Sequence, residues 1–315
     1  MTFTQLEIFV LVAQLRGFTA AASRLAISQS AVSHSLKSLE RELGVDLIVR
    51  HQANLEVTEI GQQFLRRARE ILGVSEAMRQ EVAAARGLRR GSVRIGSFGP
   101  TSSLKLLPAI LEAYRRSYPE IDIHIEEGGD QEVTQWILDR RVDVGFVVLP
   151  EERFDRRVDA SFVVLREERF HTVSLVEDQL MALIPKQHAL AQKRSISLAD
   201  LCSEPFIMSE AGSAALIEPL FTAGAVVPQV RYRIAQVITI LGMVERGEGI
   251  SIVAELALPD RLAVTHPGLV KLPLRPAAKR RVGLAARDLR QATPAAKAFL
   301  DIAKKIAPMS IAVKS

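Results

Sequence analysis

The sequence predicts an α/β chain led by a winged helix-turn-helix unit and a long linker helix. Three observations predict it. Two short helical stretches meet at a tight corner near the N-terminus. A proline-free run from Thr58 to about Arg90 repeats apolar residues every seven positions, and strands alternate with helices from there on.

The corner lies between Thr19 and Leu43. Thr19 can cap a first helix over Ala20–Ala26, Ile27 makes the turn, and Ser28 can cap a second helix that runs to Gly44, a residue suited to a C-terminal cap. On the second helix Val32, Leu36, Leu39 and Leu43 recur at helical spacing and face a core. That leaves Gln29, Ser30, Ser33, His34 and Lys37 outward. Serine is a mediocre filler for an exposed helix, so its repeated use beside Gln29 and Lys37 points to close approach to another surface. The plainer alternative is a solvated amphipathic helix. The first residues after such a corner project outward, as the base-contacting residues of a recognition helix do, which marks Ser28 as well.

The flanks complete a small domain. Asp46 to Thr58 holds two short apolar runs around a polar tip, a wing with Arg50 and His51 placed to touch phosphate. Ahead of the corner, Thr4 to Glu7 has the spacing of a capping box, and Leu6, Phe9, Val10 and Ala13 form the expected buried stripe of a supporting helix.

Beyond the wing, Phe64, Ile71, Met78 and Ala85 recur with Ala68, Ser75 and Val82 between them. A helix over this run spans about 45 Å, too long for a small winged unit to bury, so a partner helix and a homodimer are expected. Packing on the chain's own C-terminal half is the alternative.

Composition narrows the function classes. Net charge is +5 and the isoelectric point is near 9.5, compatible with a polyanionic partner. Arg16, Arg24, Lys37, Arg50, Arg66, Arg67 and Arg69 fall in or beside the N-terminal unit, where phosphate contacts would supply affinity and its salt dependence. Lys279-Arg280-Arg281 reads as a solvated strand end. The lone Cys202 permits no intrachain disulfide and reads as a small buried hydrophobe. With no clustered Cys or His partners, no metal is expected. There is no transmembrane run or secretory signal, so a cytoplasmic protein with no membrane partner is expected. Neither a Gly-x-Ser-x-Gly elbow nor a phosphate loop appears, and Gly96-Ser97-Phe98-Gly99 lacks the full dinucleotide fingerprint. No enzyme activity or cofactor is expected.

From Arg90 the reading is a strand over Ser92–Gly96, a helix over Leu104–Tyr118, a strand over Ile121–Ile125, a helix over Gln131–Arg141 and a strand over Val142–Leu149. A second unit follows with Gln179–Pro185, Pro205–Met208, a helix near Ala214–Ala223 and the run Gln236–Ile252. The last segment supplies a strand within Val270–Ala286 and a closing helix over Thr293–Ile306. Parallel α/β architecture is the natural reading.

These residues resemble the LysR-type transcriptional regulators. The N-terminal pattern runs from Phe9 through Ala20-Ala21-Ala22, Leu25, Ser28 to Ser33, Leu36, Leu39-Glu40, Leu43-Gly44, Leu47, Arg50 and Thr58 to Gly61. Farther on, Leu107-Pro108, Tyr118-Pro119, Asp143-Val144-Gly145, His188, Leu190-Ala191, Pro205-Phe206 and Gly247 to Ile250 carry it. Ala189 and the run Ser251 to Ala254 depart from the usual pattern. The resemblance implies a DNA-binding domain over 1–60, a linker and dimerisation helix over 61–90, and a two-lobed, Rossmann-like effector domain over 91–315 of the periplasmic-binding-protein kind. Lobe I would take about 91–162 and 268–315, and lobe II about 163–267. It further implies a sequence-specific regulator that binds a pseudo-palindromic operator in double-stranded DNA, answers to a small-molecule effector and assembles as a homodimer and homotetramer. RNA polymerase is a candidate further partner. The alternative is a ligand-independent, architectural DNA-binding repressor.

Helix ends point to the effector site. The strand over 92–97 runs into Phe98, Gly99, Pro100, Thr101, Ser102 and Ser103, where free N–H groups and hydroxyls suit an anion, with a carboxylate as the expected class. Ser209 and Ser213 form a similar corner in the second unit. Phe98, Phe146 and Met208 are candidate apolar walls, and Gln131 and Gln236 complete the set. That these residues face an interlobe cleft is implied by the resemblance. The alternative is that the hydroxyls only cap helices.

Phe146 to Phe154 recurs as Phe162 to Phe170, identical except for Pro150 and Arg166. One copy suffices to continue the strand, so the other reads as a short tandem duplication at the crossover between lobes. Either copy could supply the central strand. Deleting residues 146–161 is expected to leave a protein that still folds, scored by soluble expression and circular dichroism; an insoluble product would contradict the duplication.

Overall fold

A computed structural model describes residues 1–50, 55–86, 90–149, 170–210 and 214–312. It divides into two compact units, one of Met1–Leu88 with the short segment Asp139–Arg141, and one of the remaining residues.

The first unit opens with α1 (Phe3–Leu15), α2 (Phe18–Leu25) and α3 (Gln29–Leu43). The capping box of α1 is Thr2 with Gln5, two residues ahead of the expected Thr4–Glu7. Gln5 N donates to Thr2 Oγ1 at 3.2 Å, and Thr2 N donates to Gln5 Oε1 at 2.8 Å. Its buried residues are Leu6, Ile8, Phe9 and Val12, whereas Val10 and Ala13 are half-buried. α1 lies under both neighbouring helices, so its buried face is wider than one stripe. α2 likewise starts before the expected Thr19 cap. Gly17 holds the cap position in extended backbone with no side-chain bond, because Phe18 packs on the core and starts the helix there.

The corner follows the sequence reading. Ala26 takes a left-handed conformation (φ 53°), Ile27 N bonds Ala22 O at 3.1 Å, and Ser28 Oγ accepts from Ala31 N at 3.2 Å. Gly44 closes α3 at φ 72°, a conformation glycine adopts without steric cost, and its N–H returns to Glu40 O at 2.8 Å. The wing is β1 (Ile48–Arg50) paired antiparallel with β2 (Leu55–Val57). Glu40 Oε1 ties it to α3 by accepting from Leu47 N at 2.9 Å and Ile48 N at 3.1 Å. The tip residues 51–54, His51 among them, lie outside the described residues.

Thr58 caps α4 (Glu59–Ala85), with Gly61 N donating to its Oγ1 at 2.9 Å. Leu65 and Ala68 bury against the winged core, and Phe64 meets Phe9 edge-on at 5.6 Å.

The second unit carries β3 (Gly91–Phe98), a π-helical turn over Thr101–Leu106 that leads directly into α5 (Leu107–Ser117), β4 (Ile121–Gly128), α6 (Asp130–Leu138) and β5 (Val144–Leu149). The first copy of the repeat therefore supplies the strand β5. The second copy, up to Arg169, lies outside the described residues. Next come β6 (His171–Pro185), β7 (Ile196–Ser197), α7 (Leu198–Cys202), β8 (Pro205–Ser209), α8 (Ala214–Ala223), β9 (Gln229–Ile234), α9 (Val237–Glu245) and β10 (Ile250–Ala254). A short turn over Glu255–Ala257, α10 (Leu262–Thr265), β11 (Leu269–Arg275), β12 (Lys279–Ala286) and α11 (Pro294–Ala312) complete the chain.

The sheet is mixed rather than parallel throughout. Its order is β4-β3-β5-β12-β6-β10-β8-β9, with β11 on β6 and β7. β3, β4 and β5 run parallel in lobe I, and β8, β9 and β10 run parallel in lobe II, but β12 and β6 are antiparallel to each other and to their other neighbours. This follows from a chain that crosses between lobes and returns. β6 pairs with β12 as far as Gln179 and with β10 and β11 from Leu180 on, and β11 sits wholly with lobe II. The crossings therefore fall near residues 179 and 278, not near 162 and 267 as the resemblance suggested. Separate cores confirm the division: Tyr114, Phe146 and Phe299 sit in one, Phe206, Ile217 and Ile252 in the other.

Close packing of α6 on β5 depends on Gly145. A Cβ there would stand 2.6 Å from Val133 Cγ1 and 2.7 Å from Ile137 Cδ1. Gly145→Ala is expected to destabilise lobe I by about 1–3 kcal/mol, read from urea unfolding. An unchanged midpoint would contradict so close an approach.

Candidate functional site

Two sites emerge, one in each unit. In the first, the fold turns one face of α3 outward. Val32, Leu36 and Leu39 are buried beneath it, while Gln29, Ser30, His34 and Lys37 are exposed and Ser33 is half-buried. Ser28 and Ser30 share a hydrogen bond at 2.9 Å, so the Ser28 hydroxyl both caps the helix and stands at the exposed corner. Arg16, Arg24, Arg66 and Arg67 are exposed, and Arg67 pairs with Glu70 at 2.9 Å. Arg69 is buried, which removes it from the expected phosphate contacts. A rigid polar helix face beside a two-stranded wing has the dimensions to enter a major groove.

The second site is the corner after β3. Gly99 turns the chain at φ 50°, and Thr101, Ser102 and Ser103 begin the helical segment. The hydroxyls bond inward more than the sequence suggested. Ser97 Oγ lies 3.0 Å from Ser102 Oγ and 2.9 Å from Ser103 Oγ, and Phe98 N donates to Ser102 Oγ at 2.9 Å. Ser102 has no exposed surface, so its part is to hold the turn. Phe98, Phe146 and Met208, expected as cleft walls, are each at most 1% exposed and belong to the lobe cores. Pro100 and Ser103 are half-buried, while Gln131 on α6 and Gln236 at the cap of α9 are exposed. Ser209 ends β8 in a buried position, and Ser213 lies outside the described residues.

Sequence reasoning missed Arg280. Read as solvated, it is 2% exposed and pairs with Asp178 at 2.7 Å, while its Nη2 also donates to Thr101 Oγ1 at 2.6 Å. Strand alternation was the available signal, since Arg280 shares its face with Val282 and Leu284, both buried. Lys105, in the same helical turn as Thr101, forms an ion pair with Asp260 of lobe II.

A cavity of about 640 Å³ lies elsewhere in lobe II, lined by Lys186, His188, Glu204, Glu245 and Arg246 among others. It sits at the amino-terminal ends of β8 and β10, opposite the carboxyl ends where open α/β sheets bind ligands, and none of the expected effector residues lines it. Among the described residues, no group of three or more His, Cys, Asp or Glu side chains could hold a metal ion.

The chain matches the bacterial regulatory helix-turn-helix protein, lysR family, over residues 3–62 and the LysR substrate binding domain over residues 86–307. It belongs to the LysR family of transcriptional regulators. Among its relatives, the uncharacterised helix-turn-helix-type transcriptional regulator YvbU of Bacillus subtilis is 31% identical over 97% of this chain and 99% of that protein. A full-length OxyR variant from Pseudomonas aeruginosa shares the fold at a TM-score of 0.73 and 23% identity, covering 97% of this chain and 94% of the other. Full-length CbnR bound to its target DNA shares it at a TM-score of 0.61 and 24% identity, covering 98% and 100%. This LysR-type protein is accordingly a DNA-binding transcriptional regulator with an effector-binding domain, and not an enzyme.

Its single cysteine is set in α7, half-buried against the lobe II core, with Cys202 Sγ donating to Leu198 O at 3.3 Å. Burial pushes the thiol above its ordinary range, which lowers the reactive thiolate fraction at neutral pH. Iodoacetamide at pH 7 is therefore expected to modify Cys202 several-fold more slowly than free cysteine, measured by mass spectrometry; a rate at or above that of free cysteine would contradict it.

Proposed function

We propose that two copies of this LysR-type chain pair along α4 and read a pseudo-palindromic operator with their two α3 helices, under the control of a small anionic effector, with a carboxylate as the favoured class. Ser28, Gln29, Ser30, Ser33, His34 and Lys37 read the site, and Arg50 and His51 of the wing contact phosphate. The observation that carries this is the exposed polar face of α3, held rigid by a capped corner in a chain that also carries a two-lobed effector domain.

Pairing is favoured by the apolar stripe on α4. Ile71, Val74, Met78 and Val82 recur at helical spacing and are 41%, 43%, 62% and 62% exposed. A monomer rarely leaves such a row in water, and a second α4 is its natural cover. Dimers would assemble further into tetramers, and RNA polymerase is the downstream partner of such an assembly. The anionic class is favoured by a helical segment that starts at Thr101, just after the carboxyl end of β3, with no side-chain cap on its first turn. No helix among the described residues is long and apolar enough to cross a membrane.

Selection from a random DNA pool is expected to return a site with dyad symmetry, and Met78→Glu with Val82→Glu is expected to give a monomer in sedimentation with at least tenfold weaker binding to that site. Asymmetric selected sites, or a double variant that stays dimeric, would overturn the paired-reader model. Calorimetry across a panel of organic acids tests the effector class, and a flat response throughout would count against a carboxylate.

A further inference from the structure

The strands that cross between the lobes carry a fully buried ion pair on which groups from both lobes converge. Arg280 on β12 and Asp178 on β6 face each other in register, and each side chain is 1% exposed. Asp178 Oδ2 accepts from Arg280 Nη2 at 2.7 Å and from Nε at 2.8 Å. The same Nη2 donates to Thr101 Oγ1 at 2.6 Å, in the turn that opens the candidate effector corner of lobe I. The other carboxylate oxygen, Asp178 Oδ1, accepts from Gln179 N at 2.9 Å and from Leu256 N at 3.1 Å, and Leu256 lies in the turn that follows β10 of lobe II. One unbroken chain of hydrogen bonds thus runs from Thr101 through Arg280 and Asp178 to the Leu256 amide, passing through the crossover itself.

A buried pair of this kind is a weak source of stability, because apolar residues of similar volume often replace one without loss. Its placement is better explained by geometry. The guanidinium is a planar fork whose donors are fixed relative to one another, so Thr101 cannot shift without turning the plane that also grips Asp178. We propose that Arg280 is the positioning residue of the effector corner, and that the Thr101–Arg280–Asp178–Leu256 chain is the path by which ligand at the corner alters the packing of lobe II on the crossover strands. This rests on the reading of the corner as the effector site and assigns that site its route of regulation. The network is contiguous, and it is built from charge-assisted bonds between buried side chains.

The test is native-state hydrogen exchange on the full chain without ligand, so its result is independent of whether any carboxylate binds. Two amides report directly, Phe98 N on the Ser102 hydroxyl of the corner and Leu256 N on Asp178. Arg280→Met with Asp178→Leu removes the pair without leaving a lone buried charge, and both amides are expected to exchange at least tenfold faster while those of β4 stay within twofold of wild type. Arg280→Lys keeps a cation for Asp178 but loses the fork, so only Phe98 should accelerate. Thr101→Val, which removes the acceptor and nearly keeps the shape, should act like Arg280→Lys. Unchanged exchange at both amides in all three variants would overturn the proposal. So would acceleration that extends equally through β4, since the pair would then only stabilise the fold.

Discussion

The antiparallel ladder between β6 and β12 is the constraint on which the effector half depends. These two strands join the lobes, and β6 belongs to both, pairing with β12 along its first half and with β10 and β11 along its second. The parallel strands of each lobe extend outward from this ribbon, so the carboxyl ends that form candidate ligand corners are set by its register. Burying two charges in it costs about several kcal/mol per ion before their attraction and hydrogen bonds offset the loss. Asp178 and Arg280 meet that cost with partners at both ends of the pair.

The DNA-reading unit rests on shorter-range physics. Its corner is closed by backbone bonds at Ala26 and Ile27 and by the Ser28 cap, and Glu40 fixes the wing to α3 through two amides. None of these bonds reaches more than a few residues beyond its own element, which gives a compact unit with a polar outward face on α3. Regulation then requires that effector and operator bind with different affinity to at least two arrangements of the assembly, and the coupling between them is reciprocal.

This contrast explains what was legible in the sequence. Ser28, Gly44 and the Val32-Leu36-Leu39 spacing are local signals for the corner, as are the apolar runs of Asp46 to Thr58 for the wing and the seven-residue repeat after Thr58 for the long helix. Cap positions were less secure: Thr2 with Gln5 and Thr4 with Glu7 have the same spacing, and the bonds in the structure belong to the first. Strand direction and lobe membership were not legible. β6 begins with His171-Thr172-Val173-Ser174, whose composition does not mark a strand shared by two lobes. Arg280 was lost for a related reason. Between two other cations it resembles a solvated run, and its partner lies 102 residues away with no pattern to join them. At the candidate effector corner several of the expected residues take structural roles. Ser102 and the three apolar candidates hold the corner and the cores, and Thr101 is engaged by Arg280.

If the shared ribbon makes the two lobes one cooperative body, they must unfold together. The chain carries a reporter in each: its single tryptophan, Trp136, packs on the lobe I core, and its single cysteine, Cys202, packs on that of lobe II. Urea unfolding of the full chain followed by Trp136 fluorescence and by the reactivity of Cys202 should give coincident midpoints. Exposure of Cys202 at a clearly different urea concentration from the Trp136 transition would show lobes that unfold separately and would contradict the account.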